Sequence, residues 1–144
     1  MKKLTPVKQI VLASCVTIFL LTLNSCNKKM YFPVSAVAPA ARGTVKVKKD
    51  DNNNYTIQVN VSDLAEVERL QGNKKAYVVW IITGNDNPKN MGQIISDTKR
   101  FSKKLNADFN TVSPGKPDRI FITAEEDGTI QYPGNMVVLS RDLR

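Results

Sequence analysis

The sequence predicts an all-β protein, an immunoglobulin-like β-sandwich of about seven short strands. Apolar and polar residues alternate with a period of two in several segments, which is the pattern of half-buried strands. Clusters of Asp, Asn, Gly and Pro separate these segments and are typical of turns. Several short strands divided by frequent turns indicate a sandwich, and the alternative is a small β-barrel.

The first strands form a predicted hairpin. In residues 44–48, Val45 and Val47 share one face and lysines share the other, and residues 55–61 alternate in the same way. Residues 50–54, with the sequence DDNNN, lie between them and predict the turn, since Asp and Asn tolerate left-handed backbone. Residues 62–70 predict a short helix capped by Ser62, or a packed loop.

Residues 76–83 predict a central strand, because both of its faces are apolar. Trp80 on this strand is a candidate ligand-binding residue, since aromatic side chains contribute strongly to binding surfaces; packing in the core is the alternative. Later strands are predicted at residues 91–96, within 101–112, at 119–124 and at 136–139.

The amino terminus has the pattern of a signal peptide over residues 1–25. Lys2, Lys3 and Lys8 precede an uncharged run at 10–23. At about 1.5 Å per residue, that run is short for a bilayer core of about 30 Å. A secretory signal and an uncleaved membrane anchor are the alternatives.

Leu23, Ser25 and Cys26 follow this run and resemble a lipobox, the site recognised by lipoprotein signal peptidase. The resemblance implies cleavage before Cys26 and acyl chains, palmitate among them, on that residue. We therefore expect a membrane anchor at Cys26, a tether over residues 26–42 and the sandwich domain over 43–144. Tyr31 and Phe32 are apolar for a free tether and are expected to contact the domain or the membrane surface.

The composition excludes several kinds of site. The chain has no histidine and two cysteines, of which Cys15 leaves with the signal peptide and Cys26 carries lipid. Nucleophile systems that depend on histidine are excluded, and zinc and copper sites are disfavoured. The acidic residues at 50–54 and 125–127 fit turns better than calcium or acid–base sites. We therefore expect no catalytic residue, metal or cofactor, and a protein that is not an enzyme.

The mature domain resembles the extracytoplasmic domain of anti-sigma-K factors. The similar segments are 77–82, with the sequence YVVWII, then Met91 and Gly92, residues 122–125 and the ending from Pro133 to Leu139. The resemblance implies a β-sandwich in the envelope. The sigma-binding domain and membrane-spanning helix of that family are not matched, and the family supplies no catalytic residues to transfer.

These observations predict a non-enzymatic binding or sensing module held to a membrane by lipid on Cys26. An envelope protein or a glycan is the expected partner. Nucleic acid is not expected as a partner, because the protein is predicted to be exported. A structural subunit of an envelope assembly is the alternative, followed by a carboxylate-dependent hydrolase. The residues that follow Cys26 are Asn27 and Lys28, not the aspartate that is typical of lipoproteins retained in the inner membrane. This difference favours the outer membrane, facing the periplasm.

Overall fold

The protein is a β-sandwich of two antiparallel four-stranded sheets, as seen in a computed structural model that describes residues 29–94 and 105–144. Sheet A has the order β1-β2-β3-β6, and sheet B has the order β5-β4-β7-β8. The strands are β1 (Lys29–Tyr31), β2 (Arg42–Lys49), β3 (Tyr55–Leu64), β4 (Ala76–Ile82), β5 (Lys89–Gln93), β6 (Leu105–Ser113), β7 (Arg119–Glu125) and β8 (Val137–Asp142). The predicted sandwich is confirmed, and the two sheets do not close into a barrel.

The core lies between the sheets and is formed by alternate residues of each strand. Val45 and Val59 point inward from sheet A, and Val79 and Ile122 point inward from sheet B; all four are at most 1% exposed. Alternation with period two requires that their neighbours point outward. The hairpin prediction is therefore confirmed, with Val45 opposite Val59 in the register of β2 and β3.

Residues 29–42 belong to the sandwich, whereas the sequence assigned them to a tether. Strand β1 pairs with β2, so that Met30 lies opposite Val45. Phe32 is only 8% exposed, and its N–H donates to the carbonyl of Gly43 at 2.9 Å. Ala38 and Ala41 are also buried. The composition, rich in proline and alanine, suggested a linker, but Phe32, Ala38 and Ala41 are buried in the core.

Residues 62–70 form a packed connection rather than a helix that begins at Ser62. Strand β3 continues to Leu64 through an irregularity at which Asp63 has a φ of 56°. A single 3-10 turn follows at Val67–Arg69, and Val67 is buried in the core. Of the two alternatives that the sequence left open, the packed loop describes this segment.

Tyr77 gives the fold a pH-dependent contact in this connection. The buried Tyr77 hydroxyl donates to the carbonyl of Ala65 at 2.9 Å. Burial, with a smaller contribution from Glu68, raises the pKa of Tyr77 to about 12. The unfolded chain releases this proton near pH 10 and the folded chain near 12, so the folded state loses stability as pH rises through that window.

We therefore expect the urea concentration at the midpoint of unfolding to decrease as the pH is raised from 10 to 12. In Tyr77→Phe, part of this decrease should be absent. Circular dichroism measures the midpoints. Tyr55→Phe serves as the control, because Tyr55 is only half-buried at the start of β3. Identical pH profiles for Tyr77→Phe and the unmodified chain would contradict the expectation.

Candidate functional site

Trp80 lies in the interior of the protein, although its side chain points to the outer face of sheet B. The side chain is 0% exposed. Its ring stacks on Phe121, with centroids 6.3 Å apart and an interplanar angle of 14°. The indole N–H donates to Thr123 Oγ1 at 2.7 Å. Trp80 therefore packs in the interior, which is the alternative that the sequence left open, and its role as a ligand-binding residue stays a prediction.

The connection between β7 and β8, residues 126–136, folds against the outer face of sheet B. Ile130 of this connection packs on the apolar cluster around Trp80. The Asn90 side-chain amide donates to the carbonyls of Gly128 and Ile130 at 3.0 and 2.8 Å. At the other side, the N–H of Gly134 donates to the Glu125 carboxylate at 2.8 Å. The connection is thus held at two separate points.

Glu125 and Asp127, two of the acidic residues that were candidates for acid–base chemistry, have structural roles. Glu125 is 3% exposed and holds Gly134, whereas Glu126 is exposed. Asp127 Oδ1 accepts from the N–H and hydroxyl of Thr129, and these bonds lower the pKa of Asp127. These carboxylates do not form an acid–base pair.

The turn at residues 50–54 is organised by Asp50. Its Oδ1 accepts from the N–H of Asn52 at 2.9 Å and from the N–H of Asn54 at 2.8 Å, and Asn53 has a φ of 65°. The predicted turn is confirmed. Within residues 29–94 and 105–144, no group of three or more His, Cys, Asp or Glu residues is placed to hold a metal.

Ion pairs line a cavity of about 420 Å³ at the end of β7. Arg119 Nε lies 2.6 Å from Asp142 Oδ1, and Arg144 Nε lies 3.4 Å from Asp118 Oδ1. The bond to Arg119 lowers the pKa of Asp142. Each of the two carboxylates is engaged by an arginine, so this cavity does not offer a free acid–base pair.

An open groove on sheet B is a candidate surface for a ligand. This β5 groove lies between β5 and residues 128–131 and has a volume of about 670 Å³. Its lining residues are Pro88, Lys89, Asn90, Met91, Gly92, Gln93, Gly128, Thr129, Ile130 and Gln131. They supply an ammonium group, side-chain amides, a hydroxyl group and apolar surface. None of these lining residues, all within the described part of the chain, is acidic.

Two residues near the β5 groove are unusual. Gly92 has a φ of 127°, and on its core side the Phe109 ring lies 3.4 Å from the position that a Cβ would take. Tyr132, which directly follows the lining residue Gln131, is 71% exposed. The amino-acid sequence alone does not reveal this groove. Its one local signal is Gly92 inside a strand, which often marks an irregularity or a close backbone approach.

The outer face of sheet A is a second surface, and its charge is basic. By strand register, this basic face carries Lys29, Tyr31, Arg42, Thr44, Lys46, Lys48, Thr56, Gln58, Asn60, Ser62, Asp108, Asn110 and Val112. Four of these residues are cationic and one is acidic. The Asn60 side-chain amide donates to that acid, Asp108. The Lys29 ammonium lies 5.5 Å from the centre of the Tyr31 ring.

The predicted signal peptide at residues 1–25 and the predicted lipidation site Cys26 lie outside the described residues, as do residues 27–28 and 95–104. In the part of the chain that is described, no helix has the length and hydropathy needed to cross a membrane. Comparison with protein-family models, with curated proteins and with solved structures finds no match to this chain.

Proposed function

We propose that this chain is a lipid-anchored envelope protein whose β-sandwich is a non-enzymatic binding module. The lipobox-like residues Leu23, Ser25 and Cys26 support the anchor, and the residues that follow favour the outer membrane, facing the periplasm. The observation that carries the binding function is the β5 groove, which is open, lined by both polar and apolar residues, and without acidic lining residues. The likeness to the extracytoplasmic domain of anti-sigma-K factors concerns this sandwich only.

A glycan is the partner whose chemistry fits the β5 groove best. Sugar hydroxyl groups both donate and accept hydrogen bonds, and Gln93, Gln131, Thr129 and Lys89 offer partners of both kinds. Exposed aromatic rings provide flat apolar surface for the faces of sugar rings, and the exposed Tyr132 directly follows the lining residue Gln131 in the chain. A hydrolase is less well supported, because Glu125, Asp118 and Asp142 are each engaged by other residues.

The test is binding of the full chain, purified in detergent, to an array of bacterial surface oligosaccharides. We expect selective binding, and a loss of about tenfold or more in affinity for Tyr132→Ala, which corresponds to about 1.4 kcal/mol. The matched control is Tyr31→Ala, because Tyr31 is a similarly exposed tyrosine, at 64%, on the opposite sheet.

A second variant, Asn90→Ala, removes both donors that hold residues 128–131 in place. It should weaken the same binding by a comparable factor, since the wall of the groove is no longer fixed. If the array retains no protein, or if the Tyr132 and Tyr31 variants bind equally well, the β5 groove is not a glycan site.

A further inference from the structure

We propose that the basic face of sheet A lies against the anionic headgroups of the membrane that holds the protein. The proposal rests on the lipidation of Cys26 proposed above. It adds an orientation: the sandwich lies on the bilayer through sheet A, rather than standing away from it on a tether.

The length of chain between the anchor and the domain sets this geometry. Strand β1 begins at Lys29, three residues after Cys26, and Lys29 is paired with Lys46 of β2. Three residues span at most about 11 Å when fully extended. Electrostatic screening in physiological salt acts over about 8 Å. The edge of sheet A at β1 is therefore held within about the range of the membrane's surface potential.

The charge of the basic face is complementary to anionic lipid. Lys29 and Lys46 lie side by side across β1 and β2, and Lys48 follows on the same face. The Arg42 guanidinium donates to the carbonyls of Pro39, Ala40 and Ala41 and retains its charge. Lysines close to an anionic leaflet are attracted to it, and this attraction falls off with distance and salt.

The turn at the end of β2 argues against an orientation in which the sandwich stands upright. Asp50 and Asp51 are on this turn, next to Lys49, so an upright sandwich would bring two carboxylates to the headgroups. A sandwich lying on its basic face instead presents Lys29, Lys46 and the exposed ring of Tyr31. Tyrosine is enriched at the membrane–water interface, where an apolar ring and a polar hydroxyl group are both accommodated.

Lysine labelling of the intact protein tests this orientation. The lipidated full chain is reconstituted in phosphatidylcholine liposomes, with or without phosphatidylglycerol, and acetylated with a water-soluble reagent. Peptide mass spectrometry then measures each lysine. We expect labelling of Lys29, Lys46 and Lys48 to fall at least threefold in the anionic liposomes and to recover in 0.5 M salt. Lys75 and Lys89 are the controls, because they are exposed on sheet B or its connections.

The same spectra separate failure of the orientation from failure of the anchor. A Cys26 peptide without the mass of lipid would overturn the anchor and, with it, the orientation. A lipidated Cys26 with equal labelling of Lys46 in both liposomes would overturn the orientation alone.

Discussion

Replacing Trp80 by alanine is expected to lower the free energy of unfolding by about 3–5 kcal/mol, as for other buried aromatic side chains. The side chain is completely buried, stacks on Phe121 and donates to Thr123. Its removal leaves a cavity on the outer face of sheet B and an unpaired hydroxyl. Urea unfolding of the full chain in detergent, followed by circular dichroism, measures the change.

Two further variants separate the contributions of ring and hydrogen bond. Trp80→Phe keeps an aromatic ring but loses the bond to Thr123, so it should cost less than Trp80→Ala, with about 1 kcal/mol for that bond. Tyr132→Ala removes an aromatic ring that is 71% exposed and should change stability by less than about 0.5 kcal/mol. A stability of Trp80→Ala close to that of the unmodified chain would show that Trp80 is not part of a packed core.

Strand β4 shows what the sequence can predict and where prediction ends. A strand that is apolar on both faces has to be covered on both faces, and this expectation for residues 76–83 is confirmed by the burial of Val78, Val79 and Trp80. The covering connection at residues 126–136 has no comparable signal. It is held by Asn90, which is 38 residues from Gly128, and contacts of such separation leave no local pattern.

The error at residues 29–42 has a similar cause. Linkers and packed irregular segments can share a composition rich in proline and alanine, and the difference here depends on Gly43. A Cβ at Gly43 would lie 2.6 Å from Cδ2 of Phe32, so the absence of a side chain provides the space that the ring occupies. This fit between residues on two strands is a tertiary property. It became visible only with the pairing of β1 and β2.

The two surfaces of the sandwich are compatible with a single arrangement at the membrane. The basic face belongs to sheet A, whereas the β5 groove belongs to sheet B. The sheets of a sandwich lie about 10 Å apart and have opposite outer faces. If sheet A lies on the bilayer, the groove therefore faces the aqueous compartment. A ligand can then reach Tyr132 without displacing the protein from the lipid.

Phe32→Ala is the second substitution with a large expected effect, about 3 kcal/mol or more. Phe32 is buried in the core beside Gly43, and it follows a strand of only three residues. Without the ring, β1 keeps its pairing with β2 and the partly buried Met30 but loses its largest buried neighbour. We expect residues 29–42 to separate from the domain more often than the whole sandwich unfolds, which makes them accessible to protease.

Limited proteolysis of the lipidated chain in liposomes measures this separation. Phe32→Ala should release the sandwich from the membrane at least tenfold faster than the unmodified chain, through cleavage within residues 29–42. Tyr31→Ala is the matched control, because the neighbouring ring is 64% exposed and its loss should leave the rate nearly unchanged. Equal rates for both variants would mean that Phe32 does not hold β1 to the domain. A faster release for Phe32→Ala alone would show that the buried ring of Phe32 helps to hold residues 29–42 to the domain.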